Sequence, residues 1–279
     1  MTQPPAAPPP PAPKAPADAI KSARATIPTA IPLNITSGIV EGCDRIVIYG
    51  TGGIGKSTLA AFLPGPVFLD VERSTRKLTV ARDAVATWAE LRGKLAGIKQ
   101  APPEGMRTVV IDTATVAQTL AAEHVVQFKT TDKGHKVDSI ERFGWGQGWK
   151  FVYEEFLAMV ADLDRIADDG FNVCLTAHDV ATPAPNPAGE DFLRWEPDLY
   201  PGDKREHASI RKLVKNWAEH VVFIAYDVVV HEGKGTGSGT RSIYTQELPT
   251  HVAKSRTKQG QFVFDLQKPG AVWQELGIK

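Results

Sequence analysis

Apolar positions along this chain fall into two alternating patterns. Unbroken runs at Arg45–Tyr49, Pro66–Asp70, Arg107–Thr113 and Phe171–His178 are rich in Val, Ile and Leu and read as buried strands. Other segments carry apolar residues at helical spacing: Thr58–Leu63 as the start of a helix, Thr87–Ile98, Thr115–Phe128, and Phe151–Ile166. In the last of these, Phe151, Phe156, Met159, Val160, Leu163 and Ile166 form the apolar positions. Ser209–Trp217 reads as a further helix. Strands return towards the C-terminus with Val221–Val230, a glycine-rich hairpin tip at Gly233–Gly239, Ser242–Thr245 and Phe262–Phe264. The polar stretch Lys129–Glu141 predicts a surface loop. Asp179–Ala208 is proline-rich, mixed in charge and without clear period, so it predicts a long connection of the functional or disordered kind.

Residues 1–25 are dominated by proline and alanine and have no pattern able to bury surface. They predict a disordered tail leaning to polyproline II, followed by one folded domain over 26–279. Ile27–Cys43 is an apolar lead-in expected at the edge of the core. A hydrophobic content of 42% is enough for a sizeable core in 279 residues. The formal net charge is +0, so binding to nucleic acid has to come from a local patch rather than from the chain as a whole. Cys43 and Cys174 are too few for a disulfide framework and fit a reducing, cytoplasmic setting. No apolar run approaches a membrane span and no secretory pattern opens the chain, so no membrane partner is expected.

The run Gly50-Thr51-Gly52-Gly53-Ile54-Gly55-Lys56-Ser57 fits G-x-x-x-x-G-K-[ST], between a strand and a helix start. That context makes it a phosphate-binding loop, with Gly50 to Thr58 as the expected nucleotide-binding residues. Its glycines let backbone N–H groups converge on one point. Lys56 is expected to reach the β- and γ-phosphates, and Ser57 to offer its hydroxyl to Mg²⁺. Downstream, Val109-Val110-Ile111 leads into Asp112, a strand-end carboxylate suited to holding the same Mg²⁺.

Asp70 and Glu72 stand where another strand leaves the sheet, and a carboxylate there can polarise a water for attack on a γ-phosphate. Glu72 is the stronger candidate, and solvated acids in a capped turn are the alternative. His178, at the tip of its strand, is a candidate sensor of the γ-phosphate or a structural histidine. Phe143–Lys150 alternates glycine with aromatics, which gives either exposed stacking faces or a bent helix entry with buried tryptophans. Arg194-Trp195, Lys204-Arg205 and the helix after Ser209 have the cation-and-tryptophan composition of a single-strand nucleic-acid surface, diluted by Asp191, Glu196, Asp198, Asp203 and Glu206. Lys254 and Arg256, two apart on a strand, suit a phosphate or simply protect a sheet edge.

Taken together, the phosphate loop and the segments Val67–Glu72, Val109–Asp112, Leu175–His178 and Ala253–Arg256 resemble the RecA-like ATPase core. More narrowly, Gly146–Lys150 before a long helix and Thr176-Ala177-His178 are similar to the phage AAA-type nucleotide-binding proteins, which include the Sak-type single-strand annealing proteins. The resemblance covers about residues 40–265. It implies an α/β fold of the RecA-like P-loop NTPase type: a mainly parallel sheet flanked by helices, with a C-terminal antiparallel extension. The His178 strand then lies between the phosphate-loop strand and the Asp112 strand. It implies an ATPase with ATP and Mg²⁺ as cofactors, in which Glu72 activates water and Lys254 and Arg256 reach a neighbouring subunit's nucleotide in a ring or filament. Single-stranded DNA is the implied partner, in phage-type recombination or annealing within a phage-infected or prophage-carrying bacterial cell. RecA carries Gln where this chain has His178, so coupling between nucleotide and DNA is expected to differ. A nucleotide-dependent loader or assembly switch acting on a protein partner is the alternative. A small-molecule kinase fits less well, for want of an arginine-rich lid, and a GTPase lacks its Asn-Lys-x-Asp run.

Overall fold

Val47 and Tyr49 of strand β1 (Arg45–Gly50) pack into one apolar core, and Ile46 and Ile48 into another. The strand is therefore covered on both faces, as the central strand of a helix-flanked sheet must be. In the computed structural model the described residues are 33, 35, 37, 38, 42–203, 208–231 and 234–279; within 228–231 and 234–238 only the backbone is described. Met1–Val40 and Glu41–Lys279 are separate units. The tail expected at 1–25, most of the lead-in, and Lys204-Arg205 lie outside the described residues.

The strands are β1, β2 (Pro66–Asp70), β3 (Ala81–Ala84), β4 (Thr108–Asp112), β5 (Asn172–Ala177), β6 (Asp179–Ala184), β7 (Phe192–Pro197), β8 (His220–His231), β9 (Lys234–Tyr244), β10 (Lys254–Ser255) and β11 (Gln261–Val263). The main sheet runs β11-β9-β8-β1-β5-β4-β2-β3, with β10 beside β8. From β8 to β3 all neighbours are parallel, whereas β9, β10 and β11 add antiparallel pairs at the C-terminal side. This is the expected fold, and β5, which leads to His178, does lie between the phosphate-loop strand and the Asp112 strand.

The helices are α1 (Lys56–Ala60), α2 (Trp88–Gln100), α3 (Ala114–Phe128), α4 (Gln147–Asp168), α5 (Ile210–Trp217) and α6 (Ala271–Leu276). Apolar faces of α2, α3, α4 and α5 join the core with Val47 and Tyr49; α1 and α6 close the other face. The starts of α2, α3 and α5 follow from local chemistry. Thr87, Thr113 and Ser209 accept hydrogen bonds from the backbone N–H three residues on, satisfying a donor the helix cannot. Among the described residues no helix is long and apolar enough to cross a membrane.

Four features depart from the sequence reading. Asp179–Ala208 is not a featureless connection, because β6 and β7 pair as an antiparallel hairpin within it. Backbone bonds from Trp195 N–H to Thr250 O (2.8 Å) and from Val252 N–H to Trp195 O (3.0 Å) tie that hairpin to the main body. The glycine-rich run expected as a hairpin tip is mostly strand, since Gly235 and Gly237 pair with Val230 and Val228. β3 forms as an exposed parallel edge strand without an apolar run. Finally, α6 docks on α1, with Trp273 buried and its Nε1–H donating to Leu59 O at 3.0 Å.

Candidate functional site

The loop from Gly50 to Ser57 joins the end of β1 to the start of α1, and Thr58 lies in that first helical turn. Two of its glycines are dictated by close approach. A Cβ on Gly50 (φ 155°) would lie 2.4 Å from the carbonyl oxygen of Ile224, and one on Gly55 (φ 114°) would lie 2.6 Å from the Phe264 ring. Ile54 is fully buried and anchors the loop in the core beside α1. Lys56 folds back into the loop, its Nζ donating to Gly50 O at 2.8 Å and Thr51 O at 3.0 Å. Burial pushes its ammonium below the ordinary lysine range, against the pull of Asp179, Glu72 and Asp112. A cation held among backbone carbonyls at a glycine loop, with carboxylates close by, is ready to exchange those carbonyls for phosphate oxygens.

Asp112 closes β4 with its side chain fully buried. Ser57 Oγ donates to both its oxygens, at 3.1 and 2.9 Å. Ser74 Oγ donates to Oδ2 at 2.8 Å and Thr176 Oγ1 to Oδ1. The Asp112–Thr113 peptide is cis. The residues expected to hold Mg²⁺, Ser57 and Asp112, are thus brought together as oxygen donors. Among the described residues no cluster of three or more His, Cys, Asp or Glu forms a cage. A hydroxyl beside one carboxylate is the kind of donor set on which Mg²⁺ completes its shell with water and phosphate oxygens.

Glu72 is held by its backbone. The N–H groups of Val71 and Glu72 both donate to the carbonyl of Asp112, at 2.9 and 3.0 Å. Its carboxylate reaches across to His178, with Oε1 3.3 Å from Nε2. The candidate water activator and the candidate sensor are therefore in contact. His178 is fixed in turn: its N–H donates to Thr115 Oγ1 at 3.0 Å and its carbonyl accepts from Asp198 N–H at 2.8 Å. Asp70 has a different role. It is buried and accepts from Ser74 N–H (3.0 Å), Thr75 N–H (3.2 Å) and Thr75 Oγ1, which shapes the loop after Glu72.

Lys254 and Arg256 do not join this site. β10 pairs with His220 and Val221 at the start of β8, whereas Gly50 pairs with Ile224 further along it. That separation is about 10 Å of strand at ~3.3 Å per residue. The strand ends at Ser255, so the expectation that both side chains share one strand face does not hold. Lys254 Nζ instead caps α5, donating to the carbonyls of Lys215 (3.3 Å), Asn216 (3.3 Å) and Ala218 (2.5 Å). Arg256 is exposed.

The nucleic-acid surface read along Asp179–Lys215 also looks different in three dimensions. Arg194 pairs with Glu196 and Glu247, Arg211 with Glu196, and Lys215 with Glu247. These cations are largely neutralised. Of the glycine-aromatic segment, Trp149 is half-buried and stacked on Tyr200 with centroids 4.3 Å apart, while Trp145 is wholly exposed. Trp145 adopts φ 50° between Gly144 and Gly146, beside an open cavity of about 750 Å³ lined by Lys133, Lys136 and Arg142 and also by Asp132 and Asp138.

Several site residues carry no sequence signal of their own. Ser74 and Thr176 matter only through Asp112. Asp179 follows His178 and sits close enough to Lys56 to interact with it, while burial raises its carboxyl above the usual range. Arg241, on β9, donates to Ile54 O of the phosphate loop at 2.8 Å and lies over the Tyr226 ring. The C-terminal extension therefore touches the loop directly.

A family model described as "AAA domain" matches residues 44–257. A solved structure of a KaiC-like protein from the hyperthermophilic archaeon Pyrococcus horikoshii OT3 is 14% identical, with a TM-score of 0.44, over 82% of this chain and 88% of that one. No curated protein matches the sequence.

Proposed function

We propose that this chain, which belongs to the AAA domain family, is an ATPase that works on single-stranded DNA as a ring or filament of identical subunits. One observation carries the hydrolytic reading: Asp112 binds both halves of the site. Its carboxylate accepts from Ser57 beside Lys56, and its carbonyl accepts from the backbone of Glu72.

In this reading, Lys56 and the backbone amides of the phosphate loop bind the triphosphate, and Ser57 with Asp112 hold Mg²⁺. The bound cation supplies charge neutralisation at the phosphates. Glu72 accepts a proton from the attacking water. His178 holds the Glu72 carboxylate through Nε2 and reports the state of the phosphates to the β6–β7 hairpin, which begins at the next residue. Arg256 completes a neighbour's site. Its position at the sheet end opposite Gly50 argues against action on its own nucleotide.

The DNA half of the proposal rests on the resemblance to Sak-type annealing proteins and on Trp145. An indole presented to solvent beside Lys133 and Lys136 is suited to stacking a base while those cations meet the backbone; Asp132 and Asp138 share the rim, and Asp138 pairs with Arg142 at 3.2 Å. The competing reading, a nucleotide-driven loader with a protein partner, draws on the ion-paired surface around Arg194, Glu196, Arg211 and Glu247, whose mixed charge suits a protein better than a polyanion. ATP turnover measured against protein concentration, with and without single-stranded DNA, tests the proposal. A rate per subunit that rises with concentration and with DNA supports it. Turnover indifferent to DNA, with no salt-sensitive DNA binding, moves the balance to the loader.

A further inference from the structure

We propose that Ser74 is a positioning residue of the divalent-cation site, linking the Asp112 carboxylate to the loop that carries Glu72. The inference rests on the ATP and Mg²⁺ reading above. Asp112 receives three hydroxyls, and they are not equivalent. Thr176 holds Oδ1 from inside the sheet, where it is fully buried. Ser57 reaches both oxygens from the phosphate loop, Oδ1 at 3.1 Å and Oδ2 at 2.9 Å, and Ser74 meets it on Oδ2 at 2.8 Å from the loop after β2. Oδ2 is thus the oxygen shared between the nucleotide side and the Glu72 side.

The Glu72 loop is pinned at both ends. Val71 N–H and Glu72 N–H bind the carbonyl of Asp112, and Ser74 N–H and Thr75 N–H bind the carboxylate of Asp70. Between these anchors the backbone takes a left-handed turn at Arg73, with φ 59°. That turn brings the Ser74 side chain back onto Asp112. A cation drawing on Oδ2 competes with the Ser74 hydroxyl for the same lone pairs. The hydroxyl then turns its own oxygen towards the cation or a cation-bound water, because it has acceptor as well as donor capacity. Either way, filling the cation site is felt two residues from Glu72. Ser74 is exposed, so a packing role accounts poorly for a side chain held this closely on a buried carboxylate.

The test is Ser74→Ala and Ser74→Thr beside the unaltered full chain, with Mn²⁺ as the cation probe. Electron paramagnetic resonance titration of Mn²⁺ in the presence of ADP reads the site without turnover. Loss of an outer partner of a metal ligand costs about 10-fold or more in metal affinity. Ser74→Ala is expected to weaken Mn²⁺ by about that factor, to leave metal-free nucleotide binding unchanged, and to shift the Mg²⁺ midpoint of hydrolysis upward by the same factor. Ser74→Thr, which keeps the hydroxyl, is expected to behave as the unaltered chain. Unchanged or tighter Mn²⁺ affinity in Ser74→Ala overturns the inference, as does a loss of hydrolysis equal at every Mg²⁺ concentration. If the unaltered chain binds neither nucleotide nor Mn²⁺ with it, the ATPase reading itself fails, an outcome distinct from failure of Ser74 alone.

Discussion

His178 Nε2 stands 3.3 Å from Glu72 Oε1, a contact made across the end of the strand that carries Asp112. β5 and β2 flank β4, so residues just past their ends meet over the Asp112 carboxylate. The imidazole edge therefore stands against the Glu72 carboxylate and limits where it can turn. On the proposed role of Glu72 as base, replacing it with Gln is expected to lower kcat by about 10²–10⁴-fold with ATP binding retained, since the phosphate contacts are untouched. His178→Ala is expected to lower kcat less, and His178→Gln, which keeps a donor, less again. Steady-state kinetics with a separate measurement of ATP affinity checks both. A His178→Ala enzyme with normal kcat and weakened ATP binding would contradict the positioning role.

Lys56 makes a prediction in pH. Burial lowers its pKa in the folded chain, so the unfolded chain holds that proton to higher pH. Where the unfolded state binds more protons, stability rises with pH. The nucleotide-free protein should therefore gain stability as pH rises through the window just below the ordinary lysine value, and Lys56→Met should lose that gain. Nucleotide affinity runs the other way, because phosphate needs the charged ammonium and weakens as Lys56 deprotonates. Denaturant melts and nucleotide titrations across that window check the two opposite slopes. Lys56→Ala is expected to abolish hydrolysis at any pH.

The legible parts of this molecule are those whose reason is local. Gly50 and Gly55 are required by backbone geometry that the eight-residue motif already encodes, and Asp112 follows a strand whose burial is visible in its own side chains. Thr87, Thr113 and Ser209 cap helices within three residues of themselves. What escaped the sequence depends on distant partners. The β6–β7 hairpin includes Pro183 and Pro197 and is pinned by residues 250–252. Trp273 finds its acceptor at Leu59, 214 positions away. Lys254 has the composition of a phosphate ligand and the geometry of a helix cap. A serine such as Ser74 acquires meaning only once Asp112 is beside it.

Lys254 and Arg256 should now part company under mutation. Lys254→Ala removes a cation from the last carbonyls of α5 and is expected to cost about 0.3–1 kcal/mol of stability, read by denaturant melts. Arg256→Ala is expected to leave the fold unchanged and, on the proposed action between subunits, to lower turnover while sparing ATP binding. Mixing Arg256→Ala with Glu72→Ala protein should recover part of the activity, because one interface in the mixed assembly joins an intact Glu72 to an intact Arg256. No recovery at any mixing ratio would remove the support for action between subunits.

Trp145 offers the sharpest test of the proposed single-stranded DNA partner. It is the described tryptophan with no burial at all, it sits in a backbone conformation that bulky residues avoid, and its neighbours in the groove include Lys133 and Lys136 alongside an Arg142–Asp138 pair. Base stacking on an aromatic ring is worth about 1–3 kcal/mol, so Trp145→Ala is expected to weaken single-stranded DNA binding by about 5- to 150-fold. The loss should be similar at low and high salt, because stacking releases no counterions. Lys133→Ala and Lys136→Ala should instead flatten the salt dependence, each by up to about one unit of the slope. Basal ATP turnover without DNA should stay at the level of the unaltered chain in Trp145→Ala, while stimulation by DNA falls. Trp149 serves as the contrast, since its ring is stacked on Tyr200 and its removal should lower stability. Fluorescence anisotropy with a labelled oligothymidine at several salt concentrations separates these outcomes, and equal DNA affinity in Trp145→Ala and the unaltered chain would take the base-stacking surface away from this loop.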